Sequence, residues 1–346
     1  MAIKKLIYKV FLFTGIWFVV VYAICLLLPF HYFNAEYPMW KSKMEMLSQK
    51  GSHKNYIIGD SRAISGIDPK MLGSDYYNLA LGGGTPMEGY YMLKRMLQNG
   101  LAIDTIIVSY APIHLEQSEM FWDRQVKYGF YTPAEVKEIF NVINEDNEVF
   151  WHYEGAETFK SSEKEKYLRR AYLTYAKFPT ELRTELSKSL LLRGYTNYKV
   201  YGDIKQRKGS FDFGKAQGSH DLNVEALRQN FRPKKVINKS LQLLFTLAKE
   251  HHIKVIFSSM PMNKSSFVAL HQDYKEGVLE WEAALKNNHP EVEFLYDALG
   301  YYEDRLFGDG SHLNALGRQQ FTLDLKRRLL PKLEGINTPI TRLDFD

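Results

Sequence analysis

Tyr56-Ile57-Ile58-Gly59-Asp60-Ser61-Arg62 is the stretch on which the reading of this chain turns. A short apolar run stops at Gly-Asp, and a serine follows at once. Such a pattern suits a buried strand that ends at a sheet edge and turns sharply into a helix. The turn would expose one hydroxyl at the carboxyl end of the strand, where open α/β sheets place their ligands. Gly-Asp-Ser is also ordinary turn chemistry. Taken alone, the stretch is read equally well as a turn or as a nucleophile.

Outward from Ser61 the pattern repeats as strand, turn, helix. Further strands are expected at 76–81, 104–110, 253–259 and 292–296, beside 55–59 itself. These are continuous apolar runs, as parallel strands buried on both faces require. Thr85-Pro86-Met87-Glu88 opens a helix with an N-cap, a first-turn proline and a capping-box acid, and Gly100 ends it. Helices are also expected over 234–251 and about 314–330. Strands alternating with helices predict an α/β fold with a parallel sheet covered on both faces.

Between about 118 and 232 the rhythm breaks. This segment is charged and aromatic, with helical stretches near 133–145, 163–177 and 180–192 and an expected loop over 194–219. It reads as a helical insertion capping one end of the sheet.

Residues 11–30 contain no charge. At about 1.5 Å per residue they span a hydrocarbon core of about 30 Å. Lys4, Lys5 and Lys9 precede them, which predicts a cytoplasmic amino terminus and an extracytoplasmic remainder. The run is longer than a usual signal-peptide core and lacks a clean small-residue cleavage site, so an uncleaved anchor over 1–33 is preferred to a cleaved leader. Tyr32, Phe33 and Trp40 fit an outer aromatic belt, and 34–54 reads as a polar, partly helical stalk leading to a domain over 55–346.

The whole chain of 346 residues is 45% hydrophobic and 25% charged, which predicts a folded core. Its net charge of +5 comes without a basic block interleaved with aromatics, so nucleic-acid binding is not expected. One cysteine, Cys25, excludes an intramolecular disulfide and a multi-cysteine metal site. His251-His252 suits a helix end, and no metal or cofactor is called for.

Two further stretches bear on Ser61. Asn78-Leu79-Ala80-Leu81-Gly82-Gly83-Gly84-Thr85 places glycines between a strand and a capped helix, where N–H groups can meet an anion. No Lys-Ser/Thr follows, so a Walker loop is excluded; an oxyanion hole or a plain turn remains. Phe307-Gly308-Asp309-Gly310-Ser311-His312-Leu313-Asn314 sets a carboxylate three residues before an imidazole. The carboxylate can orient one ring nitrogen while the other accepts a proton from a serine. Asp-x-x-His is often only a helix cap, but here Asn314 is available for capping.

Together the three stretches resemble the SGNH/GDSL hydrolase family over about 55–118 and 232–330. The resemblance implies a three-layer α/β/α, flavodoxin-like domain. It implies Ser61 as nucleophile, Asp309 and His312 as acid and base, and Gly83 (or its neighbour Gly82 or Gly84) as an oxyanion donor. One block departs from the family. The strand over 104–110 runs into Ser109-Tyr110-Ala111-Pro112-Ile113-His114 without the usual asparagine donor, whose loss typically costs about 10²–10³ in rate. His114 or Ser109 is a candidate replacement. Arg62 is expected to steer an anionic substrate or to pair with a carboxylate.

A membrane anchor joined to such a domain is similar to the proteins of alginate O-acetylation and of teichoic-acid D-alanylation. That branch works beside a membrane-bound O-acyltransferase on the outer face of the cell membrane. The implied function is a serine acyltransferase acting on hydroxyls of an envelope polysaccharide or wall polymer. A carbohydrate esterase of the same fold and a catalytically weak polymer-binding scaffold are the alternatives.

Overall fold

The computed structural model describes residues 2–51, 53–116, 118, 120–145, 178–186, 188–214 and 216–333. The chain divides into two compact units, Met1–Met44 with Glu119–Asp203, and Glu45–Ser118 with Ile204–Asp346.

The second unit is α/β. Its strands are β1 (Asn55–Gly59), β2 (Tyr76–Asn78), β3 (Thr105–Ser109), β4 (Lys254–Phe257), β5 (Met262–Asn263), β6 (Glu293–Phe294) and β7 (Tyr301–Tyr302). Five of them form one parallel sheet in the order β2-β1-β3-β4-β6, and β5 pairs with β7 separately. The central strands β1, β3 and β4 are apolar on both faces because both faces are covered. Ile57, Ile107 and Ile256 join Phe307, Phe321 and Leu325 in one core cluster beneath the Ala315–Leu333 helix. On the opposite face, Ile58 lies under Gly89 beside Leu244, where the Pro86–Gln98 and Lys235–Glu250 helices pack together. Each large apolar side chain fully buried in these layers stabilises the fold by about 1.5–3 kcal/mol.

Two strands are shorter than the sequence suggests. The expected strand 76–81 ends at Asn78, whose side chain donates to Ala63 O (2.8 Å) and accepts from Ala80 N (3.0 Å). Beyond it, Leu79 N and Leu81 N still donate to Ile57 O (2.7 Å) and Gly59 O (2.9 Å), so the chain stays beside β1. The expected strand 292–296 pairs only over Glu293–Phe294, at the sheet edge. The capping box at Thr85 and Glu88 forms as read.

The first unit begins with the apolar helix Ala2–Leu27. The stretch read as a stalk carries the helix Glu36–Met46, but that helix buries Tyr37, Met39, Trp40 and Lys43. Tyr32, Phe33 and Trp40, read as a membrane belt, are core residues. Their rings pack edge-on in an aromatic cluster, Phe33 on Phe178 at 5.2 Å and Trp40 on Phe130 at 5.7 Å. An aromatic cluster removes more apolar area from water than an exposed tether would.

Of the segment 118–232, 119–203 groups with the first unit and 204–232 with the sheet unit. The helix over 133–145 forms as expected, whereas 163–177 lies outside the described residues. In place of a loop from 194, one helix runs from Leu190 to Gln206. Gly194 sits inside it because the His31 ring occupies the space where a Cβ would project.

Candidate active site

Gly59 closes β1 opposite Ser109, and a Cβ there would lie 2.0 Å from Ser109 O. Only glycine permits that approach at the strand end. Asp60 then caps the short helix Ser61–Gly66: its carboxylate accepts from Arg62 N at 2.7 Å. The same buried carboxylate accepts from Ala111 N at 2.6 Å, which ties the end of β1 to the segment after β3. Asp60 therefore does architectural work, and Ser61 opens the helix at the carboxyl edge of the sheet.

The other two residues arrive from the far end of the chain. Gly308 N donates to His312 O (2.8 Å), and Phe307 bridges antiparallel to Leu313. This closes a tight loop whose far side carries Asp309 and His312. Asn314 anchors the loop: its amide donates to Arg305 O at 2.8 Å, and its Oδ1 accepts from Gly317 N at 3.1 Å. The cap is Asn314, as the sequence allows, and Asp309 and His312 are left for each other.

The geometry is a continuous relay. His312 Nε2 lies 2.8 Å from Ser61 Oγ, and His312 Nδ1 lies 2.8 Å from Asp309 Oδ2 and 2.9 Å from Oδ1. Asp309 Oδ1 also accepts from the backbone of Ser311 and His312, each at 2.8 Å. Burial acts to raise the Asp309 carboxyl. The hydrogen bond and charge of His312 and the two N–H groups outweigh it and hold the carboxyl below its usual range. An ionised Asp309 fixes the tautomer with the proton on Nδ1, so Nε2 is free to accept from the Ser61 hydroxyl.

Gly82 and Gly83 lie in a turn that hangs from β1. Leu81 N donates to Gly59 O (2.9 Å), Gly84 N donates to Leu81 O (3.0 Å), and Gly83 has φ +67°. The turn thus abuts the residue two places before Ser61.

Arg62 does not face a substrate. Its guanidinium donates to Glu225 Oε2 at 2.5 Å, with side-chain exposures of 4% and 0%. Burial opposes the Arg62 charge, but Glu225 and Asp60 restore it and raise the group above its ordinary value. Of the two candidate replacements for the asparagine donor, Ser109 is fully buried and its hydroxyl finds no hydrogen-bond partner among the described residues. His114 Nε2 lies 3.9 Å from Asp60 Oδ2. Burial pushes the His114 imidazole down, against the pull of Asp60.

Sequence reasoning missed Phe213 and Glu225 because both fall in the segment assigned to the insertion. Residues 207–232 instead strap the site. Phe211 N donates to Ile64 O (3.2 Å), and the Phe213 ring lies on the His312 imidazole at 4.7 Å. Asp212 accepts from Arg207 at 2.5 Å and also pairs with Arg318, and Asn263 donates to Ser219 O and Asp221 O. Gly214, at φ +70°, presses on Gly308, where a Cβ would lie 2.5 Å from its carbonyl carbon. The spacing Gly209, Gly214, Gly218 was the available signal of a strap held close to other backbone.

Among the described residues, no group of three or more His, Cys, Asp or Glu is placed to hold a metal ion. No protein-family model matches this chain, and no curated protein matches it either.

Proposed function

We propose that this chain is a serine acyltransferase with an SGNH-type, flavodoxin-like domain, anchored in the cell membrane and acting outside it on hydroxyls of an envelope or exported polysaccharide. One observation carries the chemistry: Ser61 and His312, 251 positions apart, meet at 2.8 Å, and Asp309 continues the line. The sheet order supports the fold reading. Counted over the large sheet alone it is 2-1-3-4-5, the flavodoxin-like order.

In this mechanism Ser61 Oγ attacks the carbonyl carbon of an acyl donor while its proton passes to His312 Nε2. The imidazolium, stabilised by Asp309, returns that proton to the departing group, leaving an ester on Ser61. A polymer hydroxyl then loses its proton to His312 and attacks the ester, and Ser61 recovers a proton as the acylated polymer leaves. The backbone N–H groups of Ser61 and Gly83 hold the oxyanion in both halves. The Phe213 ring shields one side of the imidazole from water.

Hydrolysis is the second reading. It is favoured by the exposure of the Asp309 and His312 side chains, 37% and 19%, which lets water reach the base. The membrane reading rests on the Ile3–Leu27 helix, long and apolar enough to span a bilayer and only 6% buried over its most apolar window. With Lys4, Lys5 and Lys9 on the cytoplasmic side, the sheet unit lies outside. There a membrane-bound O-acyltransferase is the natural source of acyl groups.

A serine-directed fluorophosphonate tests the nucleophile. The folded wild type should label and Ser61→Ala should not; labelling that persists in Ser61→Ala rejects Ser61 as the attacking group.

A further inference from the structure

We infer that the start of the Leu190–Gln206 helix is a second membrane contact, lying in the phospholipid headgroup region beside the end of the Ala2–Leu27 helix. The inference rests on the membrane-anchor reading above.

All of the relevant contacts lie within the first unit. Residues 30–33 leave the apolar helix and are held directly by the second helix. His31 Nδ1 lies 3.2 Å from Leu190 O, and Asn197 donates to Phe30 O at 2.8 Å and Phe33 O at 2.9 Å. The Phe30 ring stacks on Tyr198 with centroids 4.6 Å apart and planes 8° apart. The preceding helix, Phe178–Leu186, packs on the apolar helix itself. Leu190 is thus fixed against a residue only four positions beyond Leu27.

The depth follows from length. The uncharged run that follows Lys9, positions 10–27, spans about 27 Å at 1.5 Å per residue, close to a hydrocarbon core of about 30 Å. With Lys9 at the cytoplasmic boundary, that match brings the Leu27 end, and with it Leu190, to the outer headgroup level.

The surface offered there is apolar and unlike the rest of the unit's interior. Leu186, Leu191, Leu192 and Tyr195 are 59%, 81%, 64% and 71% exposed. Clustered large apolar side chains of this kind mark an interaction surface. Lys188, Arg193 and Lys199 flank them; Glu185 pairs with Lys188 at 3.2 Å and Arg193 at 3.3 Å. Leucines with a tyrosine, edged by cations, fit the boundary between acyl chains and anionic headgroups. The continuity with a membrane helix selects lipid over a protein partner as the occupant.

The test uses the full chain with Cys25→Ser, carrying one NBD-labelled cysteine at a time at Leu191, Leu192, Tyr195 or Leu27. Each is reconstituted in phosphatidylcholine/phosphatidylglycerol nanodiscs with or without a lipid bearing a doxyl quencher near the headgroup. These positions are exposed, so labelling displaces no core packing. The expected result is quenching of roughly twofold or more at Leu191, Leu192 and Tyr195 as well as at Leu27. Quenching at Leu27 alone overturns the inference and leaves the anchor standing. No quenching anywhere removes the anchor and the inference together. A blue-shifted but unquenched label at Leu191 and Leu192 means a protein covers this face, and also overturns it.

Discussion

Two side-chain pairs flank Ser61, and they differ in sequence spacing and in burial. Asp309 and His312 are three residues apart and partly open to solvent, with exposures of 37% and 19%. Arg62 and Glu225 are 163 residues apart, and both are almost wholly buried. The first pair is made by one turn of chain. Its exposure leaves the imidazole within reach of solvent. The second pair exists only because a distant strap reaches the nucleophile's helix. Burial opposes the Arg62 charge and Glu225 restores it, so the pair ties the nucleophile's helix to a distant segment and serves to position Ser61. Burial, more than residue type, divides the roles.

The largest expected effect falls on the open pair. Asp309→Asn should leave the fold intact and reduce acyl transfer or fluorophosphonate labelling by about 10⁴-fold, as wrong-tautomer variants do in other serine triads. A loss below tenfold would remove Asp309 from the relay.

On the buried side, Glu225→Ala strands the Arg62 charge and should cost about 3–5 kcal/mol of stability. Replacing both partners, Arg62→Met with Glu225→Leu, should recover most of that loss. Thermal unfolding of the full chain in detergent reads both. If the double variant is as unstable as the single one, the cost comes from lost packing and not from an unpaired charge.

The smallest effect is a pH dependence. The folded carboxyl of Asp309 is depressed, so its contribution to stability is present above the unfolded value of about 3.9 and fades as pH falls through the folded value. Partial exposure screens the pair and keeps the contribution small. The difference in unfolding midpoint between wild type and Asp309→Ala should be constant above about pH 5 and vanish in stronger acid. A difference that grows on acidification would reverse the assigned direction.

Much of this arrangement was legible in the residues. Runs such as Tyr56-Ile57-Ile58 and Ile106-Ile107-Val108 can only be strands buried on two faces, and they are. Asp309 and His312 were legible because three residues of spacing nearly fix their geometry. Arg62 was readable only as a choice between two uses, since its partner lies 163 positions away. The helix in place of the expected loop after residue 194, and the burial of Trp40 within 34–54, were not legible for one reason. Gly194 and Trp40 take their meaning from what packs on them, the His31 ring and the Phe130 ring.

By itself, then, the sequence determined the strand-turn-helix alternation, the apolar amino-terminal helix and the short-range pair Asp309–His312, because periodicity, composition and close spacing act locally. Only the tertiary structure decided that Ser61 meets His312, that Arg62 is occupied by Glu225, and that Phe213 lies on the His312 ring. Those contacts depend on which distant segments share buried surface, a free-energy balance over the whole packed unit that no local stretch contains.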